Sequence, residues 1–207
     1  MYRSLKEAAL DLEKNGELIR IKTELDPNLE IAEVHRRIFD AKGPALLFEN
    51  VKGSGFPALS NLYGTFERTR FLFRDTLAKV QKIIELKIDP MLALKNPGKY
   101  WRSGFTALTA LPQKAWSKPV KYGQTTIDKL PLIKSWPMDG GAFVTLPQVF
   151  SMAPGDKNIM HSNLGMYRIQ LSGNQYELNK EIGLHYQLHR GIGVHQTKAN
   201  AKKSNKS

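Results

Sequence analysis

His161-Ser162-Asn163-Leu164-Gly165-Met166-Tyr167-Arg168-Ile169-Gln170 is the stretch whose reading decides the fold. It holds a potential metal ligand, a glycine that lets backbone approach a ligand, and an arginine five residues beyond the asparagine. Polar and apolar residues alternate imperfectly from Tyr167 to Leu171, which predicts a strand over Gly165–Leu171. In a regular strand Asn163 and Arg168 face opposite sides, because side chains alternate with a period of two. A loop or bulge at Leu164-Gly165 brings both side chains into one pocket.

The pattern around this stretch is also strand-like. Gln148–Ala153 precedes it, Ser172-Gly173-Asn174 supplies a turn after it, and Glu181–Tyr186 follows. Leu111–Leu132 is rich in Pro, Lys and Thr and poorly periodic, and marks a boundary. The chain before it reads differently. Ser4-Leu5-Lys6-Glu7 is a capping box opening a helix to about Lys14, with Gly16 as its stop. A strand over Glu17–Lys22, a helix over Leu29–Ala41 and strands over Ala45–Val51 and Ala58–Leu62 describe a small α/β layer. Helices return over Thr65–Leu86, broken near Asp75, and two short ones follow with Pro90 and Pro97 near their first turns. The fold class is α+β: an N-terminal α/β domain over 1–115, a strand-rich domain over 116–196, and a disordered basic tail over 197–207.

The 207 residues contain no cysteine, which excludes disulfides, thiolate catalysis and Cys-ligated metal sites. The charged, amphipathic N-terminus does not resemble a signal peptide, and no run reaches the about 18 apolar residues of a membrane helix. These features predict a cytoplasmic protein. The net charge of +12 raises nucleic acid as a partner. Four of the lysines lie in the last ten residues, and elsewhere acids are interleaved with bases. No aromatic and basic motif of an RNA module is present, so a solvated surface and no specific nucleic acid is the reading.

Of the five histidines, His161, His185, His189 and His195 lie in the last quarter. The spacing of His185 and His189 puts both on one helix face. Without a glutamate directly after the first it is not the zinc-protease pattern, and by spacing alone such a pair is more often structural than metal-binding. His35, beside Arg36 and Arg37, reads as a surface residue. Arg168 has two readings: a strand arginine paired with a surface acid, or a planar fork that binds a carboxylate in two hydrogen bonds.

Asn163-Leu-Gly-Met-Tyr-Arg-Ile-Gln170 resembles the signature of the UbiD family of reversible decarboxylases. The similarity continues through Gly183-Leu-His-Tyr-Gln-Leu-His-Arg-Gly-Ile-Gly-Val-His195. Upstream it takes in Leu130-Pro-Leu-Ile-Lys-Ser-Trp-Pro-Met-Asp-Gly-Gly-Ala-Phe-Val-Thr-Leu-Pro147. The resemblance implies that the second domain is part of a split β-barrel that binds flavin. It implies prenylated FMN as cofactor, a manganese ion (Mn2+) held by Asn163 and His189 (His185 as second choice), and an accompanying potassium ion (K+). Oxygen and nitrogen ligands suit such a hard or borderline ion. It also implies that Leu164, Gly165, Met166 and Tyr167 lie against the flavin and that Arg168 is catalytic. Arg168 then grips the carboxylate of a small aromatic or α,β-unsaturated acid, with quinone biosynthesis as one setting. Full-length relatives are expected to form homo-oligomers.

The family's third metal ligand and its two catalytic carboxylates come later in its sequence and match nothing here. Homologous sequence is expected to stop soon after His195, as in an interrupted gene or a fragment, leaving the isolated chain inactive. The alternative is a non-catalytic remnant or partial module that binds flavin weakly or docks on another subunit.

Overall fold

The computed structural model describes residues 2–109, 111 and 123–204. The expected boundary at 115/116 lies outside these residues. Two compact units are present, and neither is a single run of chain. The first comprises 1–21, 37–47 and 59–112, the second 22–36, 48–58 and 113–207.

In the first unit, helix α1 (Leu5–Lys14) begins as its sequence dictates. The Ser4 hydroxyl accepts from the Glu7 backbone N–H, and the Glu7 carboxylate reaches back to the N–H of Arg3. Gly16 turns the chain at φ +73°, where a glycine carries no steric cost. Strand β1 (Leu18–Ile21) follows. Helix α2 (Glu30–Asp40) and strand β2 (Ala45–Phe48) pass from one unit to the other, as does β3 (Ala58–Ser60). The sheet order β1-β2-β3 makes β2 central, and Ala45, Leu46 and Phe48 are accordingly buried. Ala8 and Leu12 of α1 pack with Leu18, Ala45 and Leu72 in one core.

Arg68 closes this unit. It is 1% exposed, and its guanidinium donates to the carbonyls of Gly43 and Leu62 and pairs with Glu17 at 3.2 Å. A buried guanidinium is tolerable only with its donors so occupied. Arg68 lies on α3 (Phe66–Leu72), capped by Thr65. The long helix expected from Thr65 breaks at Phe73, and α4 (Arg74–Ile88) continues from there. The two short helices are α5 (Leu92–Lys95) and α6 (Pro97–Tyr100), the latter with proline at its start. A third, α7 (Ser103–Thr109), was not legible from periodicity.

The second unit is built from very short strands. They are β4 (Phe143–Val144), β5 (Gln148–Ser151), β6 (Asn163–Met166), β7 (Ile169–Gln170) and β8 (Gly183–Leu184). Antiparallel β5 and β6 form one pair, and β4-β7-β8 a separate sheet. The single strand expected over Gly165–Leu171 is therefore two. Its interruption is not a bulge at Leu164-Gly165, since β6 pairs with β5 in unbroken register from Ser151↔Asn163 to Gln148↔Met166. The break falls at Tyr167-Arg168, where the chain leaves one sheet for the other. The strand expected over Glu181–Tyr186 shortens to β8.

The expected disordered tail also differs. Helix α8 (Ile192–Ser204) runs through Thr197, starting from buried Ile192. Lys198, Ala199, Ala201, Lys202 and Lys203 are good helix formers, so intrinsic propensity extends a helix that has almost no apolar face.

Candidate functional site

The switch at Tyr167-Arg168 opens a cavity of about 560 Å³. Asn163, Gly165 and Met166 of β6 line it with Tyr167 and Arg168, and the segment after β8 faces them through residues between His185 and Gly191. All belong to the second unit.

On β6 the alternation puts half-buried Asn163 and Gly165 on one face, while Leu164 and Met166 are exposed. Leu164 does not line the cavity, although Met166 reaches it. The Asn163 amide donates through Nδ2 to the Tyr167 hydroxyl at 2.8 Å. That hydroxyl also accepts from the backbone N–H of Ile192 at 3.4 Å, linking the switch to the start of α8. Among the described residues Asn163 Oδ1 accepts no hydrogen bond, which leaves it available as a ligand. A side chain on Gly165 would collide with the Tyr167 ring, so the space this glycine opens is filled by Tyr167. Gly191, at φ +53°, lies against the same tyrosine, and a Cβ there would come 2.9 Å from Asn163 Oδ1.

Arg168 sits at the other end of the switch. Its guanidinium carbon is 3.6 Å from the centre of the Phe143 ring, a cation–π stack. One terminal nitrogen, Nη2, donates to both oxygens of Asp139 at 3.1 Å. Asp139 in turn accepts from the Trp136 N–H at 3.2 Å. Its turn is fixed by close backbone packing: Gly140 and Gly141 lie against Ser172 and Gly173, with Leu171 N–H donating to Ala142 O at 2.8 Å. Sequence reading missed Asp139. Its signal was the Asp-Gly-Gly run, which allows two turns to approach backbone to backbone.

The histidines separate. His185 N–H donates to Arg168 O at 3.1 Å, and its ring lies by Phe143 and within 3.3 Å of Gln170 Oε1. His189 occupies an exposed turn beside the lining residues Gln187 and Arg190 and is not itself a lining residue. His195 Nδ1 is 3.1 Å from Ser151 Oγ, and His161 is paired with Asp156 at 2.9 Å, both away from the lining. The Asn158 N–H, and then His161, hold the Asp156 carboxyl below the usual carboxylate range. Among the described residues no three His, Cys, Asp or Glu side chains cluster as a metal site. Among the described residues the cavity lining thus offers an unengaged amide oxygen and the His185 imidazole, and no carboxylate.

The fold is one found in solved structures, and it matches the N-terminal part of UbiD-class enzymes. The closed form of vanillic acid decarboxylase from Sedimentibacter hydroxybenzoicus superposes with a TM-score of 0.73 at 23% identity, over 98% of this chain and 41% of that one. A UbiD-class enzyme from Pelotomaculum thermopropionicum in complex with FMN gives 0.66 at 22%, over 96% of this chain and 40% of that one.

The family description "3-octaprenyl-4-hydroxybenzoate carboxy-lyase N-terminal domain" matches residues 9–87, and the corresponding Rift-related domain matches 112–207. The chain belongs to the UbiD family. Family similarity therefore does not stop after His195 but runs through the lysine-rich segment. An uncharacterized protein of Chlamydia trachomatis is 40% identical over 98% of this chain and 34% of its own length. A 4-hydroxybenzoate decarboxylase subunit from Chlamydia pneumoniae is 39% identical over 91% of this chain and 32% of its own length. The chain spans about a third of the length of these curated relatives. No helix among the described residues is long and apolar enough to cross a membrane.

Proposed function

We propose that this chain carries the flavin- and carboxylate-binding half of a non-oxidative decarboxylase acting on small aromatic or α,β-unsaturated acids. The observation that carries the reading is the sheet switch at Tyr167-Arg168, which puts Asn163 and Arg168 on one cavity although five residues separate them. Arg168 is stacked on Phe143 and tied through one nitrogen only. Nη1 and Nε have no partner among the described residues, and each two-pronged edge open to a planar carboxylate pairs one of them with Nη2. Asn163 Oδ1 and His189 are the two groups this chain brings to a manganese ion, with a carboxylate from outside the described residues completing the set and a potassium ion accompanying it.

The cofactor in this reading is prenylated FMN, which supplies the electron sink for loss of carbon dioxide. The protein's tasks are to orient the carboxylate, exclude water and place a proton. Relatives solved in complex with FMN or prFMN support a flavin here. Tyr167, Gly165 and Met166 offer the wall for it. Leu164 joins them only if the exposed face of β6 also meets the flavin. Residues 116–196 are then part of a split β-barrel that follows an N-terminal α/β domain over 1–115. The acid is of the kind processed in quinone biosynthesis, in a cytoplasmic homo-oligomer.

Residues 1–207 alone do not turn over in this reading: among the described residues no Asp or Glu lines the cavity, and Asp139, the acid beside Arg168, is engaged by its guanidinium. Protonation of the product by a placed acid contributes about 10²–10⁴-fold. A second reading, a partial module docking on a different chain, is favoured by the Chlamydia pneumoniae relative, which is named as one subunit of a decarboxylase.

The test is to produce residues 1–207 with prenylated FMN and manganese, record the absorbance spectrum, and assay aromatic and cinnamic-type acids. Partial flavin retention without turnover is expected. Stoichiometric flavin with turnover would show that the chain, alone or with copies of itself, completes the acid set.

A further inference from the structure

The only counter-charge that the described residues place on Arg168 is Asp139, whose carboxylate is 12% exposed against 39% for the arginine side chain. We propose that Asp139 is a positioning residue that tempers Arg168, occupying one edge of the guanidinium and weakening its hold on a ligand carboxylate. The proposal rests on the reading of Arg168 as the carboxylate site and extends it.

The geometry separates two jobs that an ion pair usually merges. Orientation does not depend on Asp139 alone, because the Phe143 ring lies 3.6 Å beneath the guanidinium whatever pairs with its edge. Both Asp139 oxygens accept from Nη2, the nitrogen common to both two-pronged edges of the guanidinium, so a ligand carboxylate must share Nη2 with Asp139. What Asp139 adds is a fixed negative charge beside any carboxylate that takes the remaining donors. Like charges a few ångströms apart in a half-exposed site repel appreciably. A site that must hold a carboxylate and then let carbon dioxide leave gains by not binding the ground state too tightly. Asp139 is itself placed with care: Trp136 N–H holds Oδ2 at 3.2 Å, and the facing glycine turns fix its backbone.

The test is titration of the 207-residue chain with 4-fluorobenzoate, followed by fluorine NMR. Asp139→Asn keeps an oxygen for the Trp136 N–H and removes only the charge. Its Kd should fall about tenfold below wild type. Asp139→Glu retains the charge and should bind within about twofold of wild type, and Arg168→Lys should lose saturable binding. Binding to Asp139→Asn with none detectable in wild type also supports the proposal. Unchanged or weaker binding in Asp139→Asn overturns it while leaving Arg168 as the carboxylate site. Equal tightening in Asp139→Glu overturns it as well, since charge is then not the cause. No saturable binding by wild type or Asp139→Asn removes the carboxylate site itself, and the proposal with it.

Discussion

The two units solve the same problem, placing an arginine, in opposite ways. Arg68 is sealed at 1% exposure, with carbonyls of Gly43 and Leu62 and the Glu17 carboxylate around it, beside a core of Ala8, Leu12, Leu18, Ala45 and Leu72. Arg168, whose side chain is 39% exposed, is stacked on one ring, is held among the described residues at one nitrogen, and lines a cavity. The first arginine is spent on structure. The second is oriented but left unsatisfied, as a binding group must be. The surroundings differ too: the first unit closes on an apolar cluster, whereas beside Arg168 the Gly140-Gly141 and Ser172-Gly173 turns pack backbone to backbone.

That contrast can be broken by substitution. The largest stability effect is expected for Arg68→Ala, which strips the Leu62 carbonyl of its Arg68 donor and leaves Gly43 O with Asn61 Nδ2 alone. Glu17 is 41% exposed and can turn to water, so the loss comes mostly from the carbonyls and is about 3 kcal/mol. A urea midpoint showing less than about 1 kcal/mol would make Arg68 as peripheral as Arg168.

Next is Gly191→Ala. Its φ of +53° and the approach to Tyr167 and Asn163 make a methyl group costly, by about 1–2 kcal/mol. The damage should concentrate at the cavity, with amide shifts at Asn163, Tyr167 and Ile192 larger than any in α1 or β2. Shifts spread evenly over both units would contradict the local role. Ser4→Ala removes the cap of α1 and should cost about 1 kcal/mol, with no shift at Arg168.

The smallest effect concerns Asp156. Its folded pKa is lowered, so its contribution is present above the unfolded value and fades as pH falls through the folded one, below about pH 4. A carboxyl-carbon NMR titration should place the Asp156 midpoint under that of an ordinary aspartate. A midpoint at or above the ordinary value would remove the Asn158 and His161 contacts from solution.

Much of the first unit was legible because its signals are local. The Ser4 box, Gly16 stop and helical spacing each mark an element directly, and the break near Asp75 falls at Phe73. In the second unit most of the site residues read from the motif line the cavity, Leu164 and His189 excepted, while the means of bringing them together was not legible. Alternation cannot distinguish a bulge within one sheet from a jump between two. Partner choice is set by residues as distant as Phe143 and Gly183. Asp139 was missed for the same reason, since its partner lies 29 positions away. α8 was missed because apolar periodicity was asked to reveal a helix that has almost none.

Everything proposed for the cavity turns on Arg168 presenting a two-pronged donor to a substrate carboxylate. The most direct test is Arg168→Lys in a chain continued to the length of its relatives, assayed for decarboxylation alongside flavin content. Lysine keeps the charge and loses the planar fork. Most of the turnover should disappear while flavin stays bound; activity within a factor of about two of the unmodified protein would contradict the assignment.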